Sequence, residues 1–275
     1  MRASVIMSVY NGERGQVLEA VASILSQEFQ DFELVLCDDG SGPEMAEFLT
    51  DLAARNHRVR LLRNRKNRGL AFSLNRCIGK AKGPILIRQD GDDRSLPGRL
   101  EALTAFLETH PQYDMVSSNV QLFDSRGTWG LMRYPETPEP RDFLFALPFC
   151  HGACAMRKEA VEAAGCYLDS PRTRRCEDLE LFLQMYLRGS RGYTLPEALY
   201  AYREDKNARQ RRKYRHRVEE ALVRLEGYRN LGLLPEGFLW AAKPLAVGLL
   251  PPRLLEALKD WHYHRRLPEK GGEGE

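Results

Sequence analysis

Short apolar runs alternate with amphipathic stretches through the first hundred residues of the chain. The runs at 4–10, 32–37, 59–62 and 85–87 have the length of buried strands. The stretches between them repeat apolar residues at helical spacing, and Ser41 with Glu44 has the spacing of a helix-capping box. The resulting order β-α-β-α-β-α-β predicts an α/β fold with a Rossmann-like, mostly parallel central sheet flanked by helices.

The second half of the chain has a different pattern. It predicts a strand at 113–120, a loop region at 121–140, a strand at 149–157 and a helix at 158–164. A polar, basic and mobile stretch at 170–175 then leads into a largely buried helix at 176–188. We therefore expect one catalytic domain over residues 1–205. Residues 206–275 form a basic and apolar helical C-terminal extension in this prediction, and its glycine-rich tail is disordered.

Acidic residues follow two of the predicted strands. Asp90, Asp92 and Asp93 come after the run at 85–87, and Asp38 with Asp39 ends the run at 32–37. Ligands of open α/β sheets bind outside the carboxyl ends of the strands. Three crowded carboxylates repel one another, and a divalent cation such as Mg²⁺ or Mn²⁺ would relieve that repulsion. Pro97 is predicted to lie in the first turn of the helix that follows Asp93. The alternative for each cluster is a polar loop that caps the following helix.

Other patterns exclude several classes of function. The chain has neither a GxGxxG after its first strand nor a GxxxxGK[ST], which argues against dinucleotide-binding and P-loop proteins. A net charge of +3 is too small to indicate nucleic-acid binding. We expect no signal peptide and no membrane span, and we expect the six cysteines to be reduced, buried thiols of a cytoplasmic protein. Cys150, His151 and Cys154 lack the second ligand pair of a zinc site.

Several motifs, taken together and in order, resemble those of glycosyltransferase family 2, the inverting nucleotide-sugar transferases of GT-A fold. They occupy residues 4–12, 31–41, 67–75, 90–100, 151–157 and 177–178, and the resemblance covers about residues 3 to 203. It implies a metal-dependent enzyme that uses Mg²⁺ or Mn²⁺. We expect it to transfer a sugar from a UDP-sugar to a glycan or lipid-linked acceptor during synthesis of cell-surface polysaccharide.

The resemblance also implies roles for individual residues. Asp178 matches the family's catalytic base, and Asp92 matches its metal ligand. The other residues expected to bind the nucleotide sugar are Tyr10 and Asp38 at the base, Asp90 near the ribose, His151 near the sugar, and their neighbours Asp39, Asp93 and Glu177. For His151 the alternative is an ordinary core histidine.

Two further positions each have two alternative interpretations. Arg99 lies where the family keeps a basic residue, although its position on the predicted helix could equally face solvent. Asp205 stands where many relatives have a histidine near the metal, and it could either supply an oxygen ligand or be solvated.

The C-terminal extension suggests where the protein works. Arginines and lysines between 206 and 217 precede apolar helical positions, so these helices could lie on the inner face of the cell membrane. A helical lid or a homodimer contact are the alternatives. Two rival functions also remain at this point, a nucleotidyltransferase and a non-catalytic relative that binds sugar nucleotides or acts as a membrane scaffold. A nucleotidyltransferase usually needs a glycine- and lysine-rich loop after its first strand, and Tyr10–Glu13 does not provide one.

Overall fold

The structure is a computed structural model that describes residues 1–204 and 214–250. Its strands form one sheet in which four neighbouring pairs run parallel and four run antiparallel, and the parallel pairs contain most of the paired residues. The strands are β1 (Ala3–Val9), β2 (Phe32–Asp38), β3 (Val59–Arg63), β4 (Ile85–Gln89), β5 (Arg94–Ser95), β6 (Met115–Asp124), β7 (Gly127–Met132), β8 (Ala155–Arg157) and β9 (Gly192–Arg203). Their order across the sheet is β3-β2-β1-β4-β8-β6-β9-β5, and β7 pairs with β6 outside this path. The predicted α/β architecture is confirmed.

Helices cover both faces of this sheet. They are α1 (Arg14–Leu25), α2 (Pro43–Ala54), α3 (Leu70–Ile78), α4 (Arg99–Thr109), α5 (Asp142–Phe145), α6 (Lys158–Ala163), α7 (Glu177–Leu187), α8 (Tyr214–Asn230) and α9 (Phe238–Leu249). Alternate residues of β1 point to opposite faces, as the period of a strand requires. Val5 and Met7 pack with residues of α1, α2 and α4, whereas Ile6 packs with residues of α3 and α7. The core therefore has two halves, one on each side of the sheet.

Three local predictions were wrong. The capping box does not form, since Gly42 is the N-cap residue of α2 and no side chain caps that helix. Pro97 does not lie in the first turn of α4, which begins at Arg99 after Gly98 in a left-handed conformation. The region at 121–140 is not all loop, because β6 continues to Asp124 and β7 pairs with it through a register shift at Leu122 and Phe123. These strand segments were not predicted because glycines and polar residues interrupt the alternation of apolar and polar positions that indicates a strand.

Two other segments differ from their predictions. The predicted strand at 149–157 is a single turn of 3₁₀ helix at His151–Ala153 followed by the short β8. The stretch at 170–175 contains another such turn, Pro171–Thr173, in which the Thr173 side chain is buried and hydrogen-bonds to Leu168 O and Ser170 O. Arg172 therefore belongs to a packed turn, and Arg174 and Arg175 follow it.

The C-terminal helices share the core of the sheet domain. Val223, Tyr228 and Ala241 belong to the same buried cluster as Phe143 and Leu183. The Tyr228 hydroxyl also donates a hydrogen bond to Phe143 O at 2.6 Å. The predicted domain boundary at residues 205 and 206 lies outside the described residues, so the division stays a prediction. No helix in the described part of the chain is long and apolar enough to span a membrane.

The six cysteines are free, and all except the half-buried Cys166 are buried. This agrees with the prediction of reduced thiols inside the core. Burial raises the pKa of both Cys150 and Cys154, Cys154 to about 12, so these thiols stay protonated at neutral pH.

Candidate active site

The candidate residues collect at the carboxyl ends of the parallel strands. Asp38 is the last residue of β2, and its strand partners in the register are Val9 of β1 and Arg63 of β3. Tyr10 follows β1 directly and is 52% exposed, so its ring is available at this edge of the sheet. The loop that carries Asp90 and Asp92 follows β4, the other neighbour of β1. Short βα links thus place side chains from three adjacent strands along one edge.

Asp38 is fully buried, and both of its carboxylate oxygens accept hydrogen bonds. Oδ1 accepts from Ser41 N at 2.9 Å, and Oδ2 accepts from Arg63 Nε at 3.0 Å. Asp38 thereby holds together the ends of β2 and β3. Each oxygen retains a second lone pair, which is what a base N–H would use.

Asp39 organises the loop between β3 and α3. Its carboxylate accepts hydrogen bonds from Asn64 Nδ2 at 2.6 Å, Arg68 N at 2.9 Å and Gly69 N at 2.8 Å. Gly40, with φ +75°, lets this loop approach, since a Cβ there would lie 2.6 Å from the Cα of Lys66. The side chain is 2% exposed, so the structure places Asp39 under the loop.

Asp93 is buried beneath the acidic loop. Its Oδ2 accepts a hydrogen bond from the Tyr200 hydroxyl at 2.8 Å, and its Oδ1 accepts one from Arg203 N at 2.6 Å. Burial and then the charge of Asp90 hold the pKa of Asp93 well above its usual range. Asp93 therefore joins the acidic loop to β9, and its carboxylate lies beneath the surface of the cleft.

Asp90 is half-buried and paired with an arginine from the strand before it. Asp90 Oδ1 lies 2.5 Å from Arg88 Nη2, and Arg88 is completely buried although it follows the apolar residues Ile85 to Ile87 in β4. The Asp90 amide donates to the Tyr200 hydroxyl at 3.1 Å. Asp90 Oδ2 faces the backbone of Gly152, where a Cβ would lie 2.9 Å from it. Only glycine fits at position 152 without displacing this carboxylate.

Asp92 is the exposed carboxylate of the loop, and its backbone is held in place. Its carbonyl oxygen accepts a hydrogen bond from Arg203 Nε at 2.9 Å, and Arg203 also pairs with Glu19 of α1 at 2.9 Å. Desolvation by the surrounding protein and the charge of Asp90 raise the pKa of Asp92 to about 6. No side chain in the described ranges forms a hydrogen bond with its carboxylate, which leaves both oxygens available to a ligand.

These residues fit a hard divalent cation that is held by few protein ligands. Among residues 1–204 and 214–250, no three His, Cys, Asp or Glu side chains are arranged to hold a metal ion by themselves. Mg²⁺ typically takes one or two carboxylates and completes its shell with water and substrate phosphates. Asp92 offers such a carboxylate, and a bound cation would offset both the desolvation and the charge of Asp90 that raise its pKa. Asp205 lies outside the described residues.

Arg99 is buried, so of its two alternatives the solvent-facing position is wrong. Its guanidinium donates to Gln89 Oε1, Ser95 Oγ, Arg88 O and Gly152 O at 2.7 to 3.0 Å. It therefore ties β4 to the turn at residues 151–153. Burial lowers the pKa of Arg99, and in the described part of the chain no carboxylate pairs with it directly.

His151 lies beside the acidic loop and is partly exposed. Its Nε2 is 2.6 Å from the hydroxyl of Tyr167. Burial and then the positive charge of Arg88 lower its pKa to about 3, so the ring is neutral at physiological pH. The sequence had left open a core histidine. The structure places the ring 2.6 Å from a buried tyrosine hydroxyl and within electrostatic range of Arg88 and Asp90.

Glu177 and Asp178 occupy the first turn of α7, as predicted, and both are half-buried. Asp178 Oδ1 accepts a hydrogen bond from Leu179 N at 2.8 Å. Burial raises the pKa of Glu177, and the charge of Asp178 adds to that effect. A carboxylate at a helix N-terminus is stabilised by the helix dipole, which favours the anionic form that accepts a proton.

Tyr167 is close enough to Asp90 of the acidic loop and to Asp178 of α7 for both charges to affect its hydroxyl. Burial raises the pKa of its hydroxyl, and the charges of both Asp178 and Asp90 add to this effect. The same phenol is thus within electrostatic range of residues that are 88 positions apart in the chain. Sequence reasoning missed Tyr167, Tyr200 and Arg88. The signal for Arg88 was present, because a charged residue inside an apolar strand must have a buried partner.

Comparisons of the chain with known proteins agree on one family. A family model described as Glycosyl transferase family 2 matches residues 4–165. The chain is 39% identical over 272 residues to the putative glycosyltransferase EpsE of Bacillus subtilis, which covers 98% of this chain and 96% of the relative. It is 29% identical over 203 residues to the amylovoran biosynthesis glycosyltransferase AmsE of Erwinia amylovora, with 73% and 75% covered.

Solved structures show the same fold at low sequence identity. S. aureus TarS in complex with UDP-GlcNAc matches with a TM-score of 0.71 at 20% identity, covering 95% of this chain and 78% of that one. The mannosyltransferase PcManGT of Pyrobaculum calidifontis, in complex with GDP-Man and Mn²⁺, matches with a TM-score of 0.59 at 21% identity, covering 95% and 80%. The prediction of a GT-A fold is confirmed.

Proposed function

The chain belongs to glycosyltransferase family 2, and we propose that it transfers a sugar from a UDP-sugar to a hydroxyl group with inversion at the anomeric carbon. The observation that supports this most directly is the convergence of acidic groups. Asp90, at the end of β4, and Asp178, at the start of α7, both act on the pKa of Tyr167. Such an arrangement can bind a diphosphate through a cation on one side and activate a hydroxyl on the other.

In this proposal Asp178 is the general base. It takes the proton of the acceptor hydroxyl while that oxygen attacks an oxocarbenium-like anomeric carbon, in the manner of glycoside hydrolysis. Base catalysis of this kind contributes on the order of 10²–10⁴-fold to the rate. The helix dipole of α7 keeps the carboxylate anionic until the proton arrives.

In this proposal the nucleotide sugar binds at the carboxyl ends of the strands. Tyr10 would pack against the base, Asp38 would accept its N–H, and Asp90 would lie near the ribose. Asp92 would hold the divalent cation, which when bound neutralises negative charge on the leaving diphosphate as a Lewis acid. The Mn²⁺ and GDP-Man bound to PcManGT and the UDP-GlcNAc bound to TarS support this use of a cation and a nucleotide sugar.

The test separates catalysis from binding. Asp178→Asn should abolish transfer and leave UDP binding unchanged, because the amide cannot take a proton but keeps the shape of the side chain. Glu180→Gln on the same helix is the matched control, since it removes a carboxylate two positions further along α7 and should keep transfer. Transfer would be followed as UDP release with candidate acceptors, and binding by isothermal titration with Mn²⁺. Loss of UDP binding in Asp178→Asn would contradict the assignment.

The metal assignment has its own test. Asp92→Ala should weaken UDP binding in the presence of Mn²⁺, because the variant loses the carboxylate that faces the ligand. Binding without metal serves as the control and should change little. An equal loss with and without Mn²⁺ would contradict a metal-ligating role for Asp92.

The acceptor is proposed to be a glycan or lipid-linked glycan of the cell surface. The support comes from relatives whose names place them in such pathways, AmsE in amylovoran biosynthesis and WbnJ of Escherichia coli in O-antigen biosynthesis. A nucleotidyltransferase is disfavoured by the family. A non-catalytic relative would show nucleotide-sugar binding without any UDP release.

We also propose that α9 contacts the membrane surface. Its outward residues Leu239 and Leu249 are 79% and 76% exposed, and an exposed apolar helix face is a feature of interfacial helices. Leu239→Glu with Leu249→Glu should abolish flotation with liposomes that contain anionic lipid, whereas the wild type should float. Equal partitioning of both proteins would contradict the proposal. A homodimer stays a prediction, which light scattering would test.

A further inference from the structure

Tyr167 is held rigidly against His151. Its backbone is fixed by Asn75 of α3, whose side-chain Oδ1 accepts from Tyr167 N at 3.0 Å and whose Nδ2 donates to Tyr167 O at 2.7 Å. The ring is 1% exposed and packs edge-on against the His151 ring, with 5.5 Å between centroids. The hydroxyl therefore has one fixed direction, toward His151 Nε2 at 2.6 Å.

The direction of this hydrogen bond follows from the two side chains. Burial raises the pKa of the Tyr167 hydroxyl, so it keeps its proton, and a buried O–H must donate to a partner. Within the described ranges its hydrogen-bond partner is His151 Nε2. Since the imidazole is neutral, an Nε2 that accepts a hydrogen bond carries no proton, and the ring proton lies on Nδ1.

The Nδ1 side of the ring is not used by the protein. Among the described residues no side chain or backbone group forms a hydrogen bond with His151 Nδ1, and the ring is partly exposed. The adjacent Gly152 lies against Asp90 Oδ2, so the histidine stands beside the acidic loop. A fixed N–H donor without a partner at such a place is suited to an oxygen atom of a bound ligand.

We propose that Tyr167 is a positioning residue that fixes His151 as the Nδ1–H tautomer, and that His151 Nδ1–H donates a hydrogen bond to an oxygen of the nucleotide sugar. This rests on the proposed function. The oxygen belongs either to a hydroxyl of the transferred sugar or to the diphosphate, and both are acceptors for the same donor. The pair would then fix the orientation of the donor substrate between Asp90 and Asp178.

The tautomer can be measured without any substrate. Two-bond ¹H–¹⁵N spectra distinguish a protonated from an unprotonated ring nitrogen, and His151→Gln identifies the signals of His151. We expect an unprotonated Nε2 in the wild type and a mixture of tautomers in Tyr167→Phe. Tyr186→Phe is the matched control, because it removes another core hydroxyl, one bonded to Pro138 O at 2.9 Å, and should leave the His151 signals unchanged. A wild-type ring protonated on Nε2 would overturn the proposal.

Binding then identifies the oxygen. Titrations would use UDP and whichever of UDP-glucose, UDP-galactose and UDP-GlcNAc binds the wild type most tightly, each with Mg²⁺. Tyr167→Phe should weaken binding of the UDP-sugar by about 5-fold, the size expected for one neutral hydrogen bond. Unchanged UDP binding would assign the sugar hydroxyl, and equal weakening of both would assign the diphosphate.

The negative outcomes are distinct. Unchanged binding of both ligands in a folded Tyr167→Phe variant would overturn the proposal, and circular dichroism with thermal melting would establish the folding. Should the wild type bind none of the nucleotides while showing the Nδ1–H tautomer, the proposed function would fail, and the ligand half of this inference would fail with it. The measured tautomer would still stand.

Discussion

Protonation of His151 should make the protein lose stability as the pH falls below neutral. The folded ring has a pKa lowered to about 3 by burial and by Arg88, whereas a histidine in an unfolded chain has a pKa of about 6.5. Between these two values the unfolded chain binds one more proton than the folded one. The free energy of unfolding contributed by this group therefore falls as the pH drops from about 6.5 toward 3, and it is fully present above 6.5.

The size of this effect follows from the two pKa values. At pH 5 the unfolded histidine gains RT ln(1 + 10^1.5), which is about 2 kcal/mol, relative to a folded ring that remains neutral. Because the ring is partly exposed, solvent reduces this figure, and we expect a loss of about 1 to 2 kcal/mol between pH 7.5 and pH 5.

Urea unfolding of the wild type and of His151→Gln at both pH values measures this contribution. The variant should be the less stable protein at pH 7.5, because it breaks the hydrogen bond with Tyr167, and the gap should shrink by the stated amount at pH 5. Tyr186→Phe is the control, since its hydroxyl does not titrate in this range and its difference from the wild type should stay constant. A gap between wild type and His151→Gln that does not change with pH would refute the reasoning.

Two further predictions concern packing and the acidic loop. Gly227→Val should destabilise the protein by about 1 to 3 kcal/mol in urea unfolding, because a Cβ at Gly227 would lie 2.5 Å from Leu183 Cδ1 in the contact between α8 and α7; wild-type stability would show that this contact does not form. Arg203→Gln should weaken Mn²⁺-dependent UDP binding measured by titration, because Arg203 donates a hydrogen bond to the Asp92 carbonyl. Arg94→Gln is the control and should leave this binding unchanged. Both arginines pair with Glu19 and lie over the Phe123 ring, but only Arg203 of the two bonds to Asp92. Equal effects of the two variants would indicate a general loss of charge.

The first hundred residues could be predicted because their signals are local. A strand buried on both faces is a short apolar run, and a helix that covers it is an apolar stripe, so β1 to β4 and α1 to α4 were expected within a few residues of their bounds. Because ligands of open α/β sheets bind outside the carboxyl ends of the strands, Asp38 and the acidic loop were expected at the same edge of the sheet. β7 was missed because its pattern is broken by Gly127 and Gly130 and its pairing with β6 shifts register.

The sequence by itself determined the kind of sheet, the edge at which acidic residues meet, and the family to which the chain belongs. Only the tertiary structure decided how these acids differ. Asp39 and Asp93 are buried and hydrogen-bonded, Asp90 is paired with Arg88, and Asp92 alone among these four has a well-exposed side chain. The reason is physical: the charge state and availability of a carboxylate depend on burial and on nearby cations, and those partners come from residues far away in the chain.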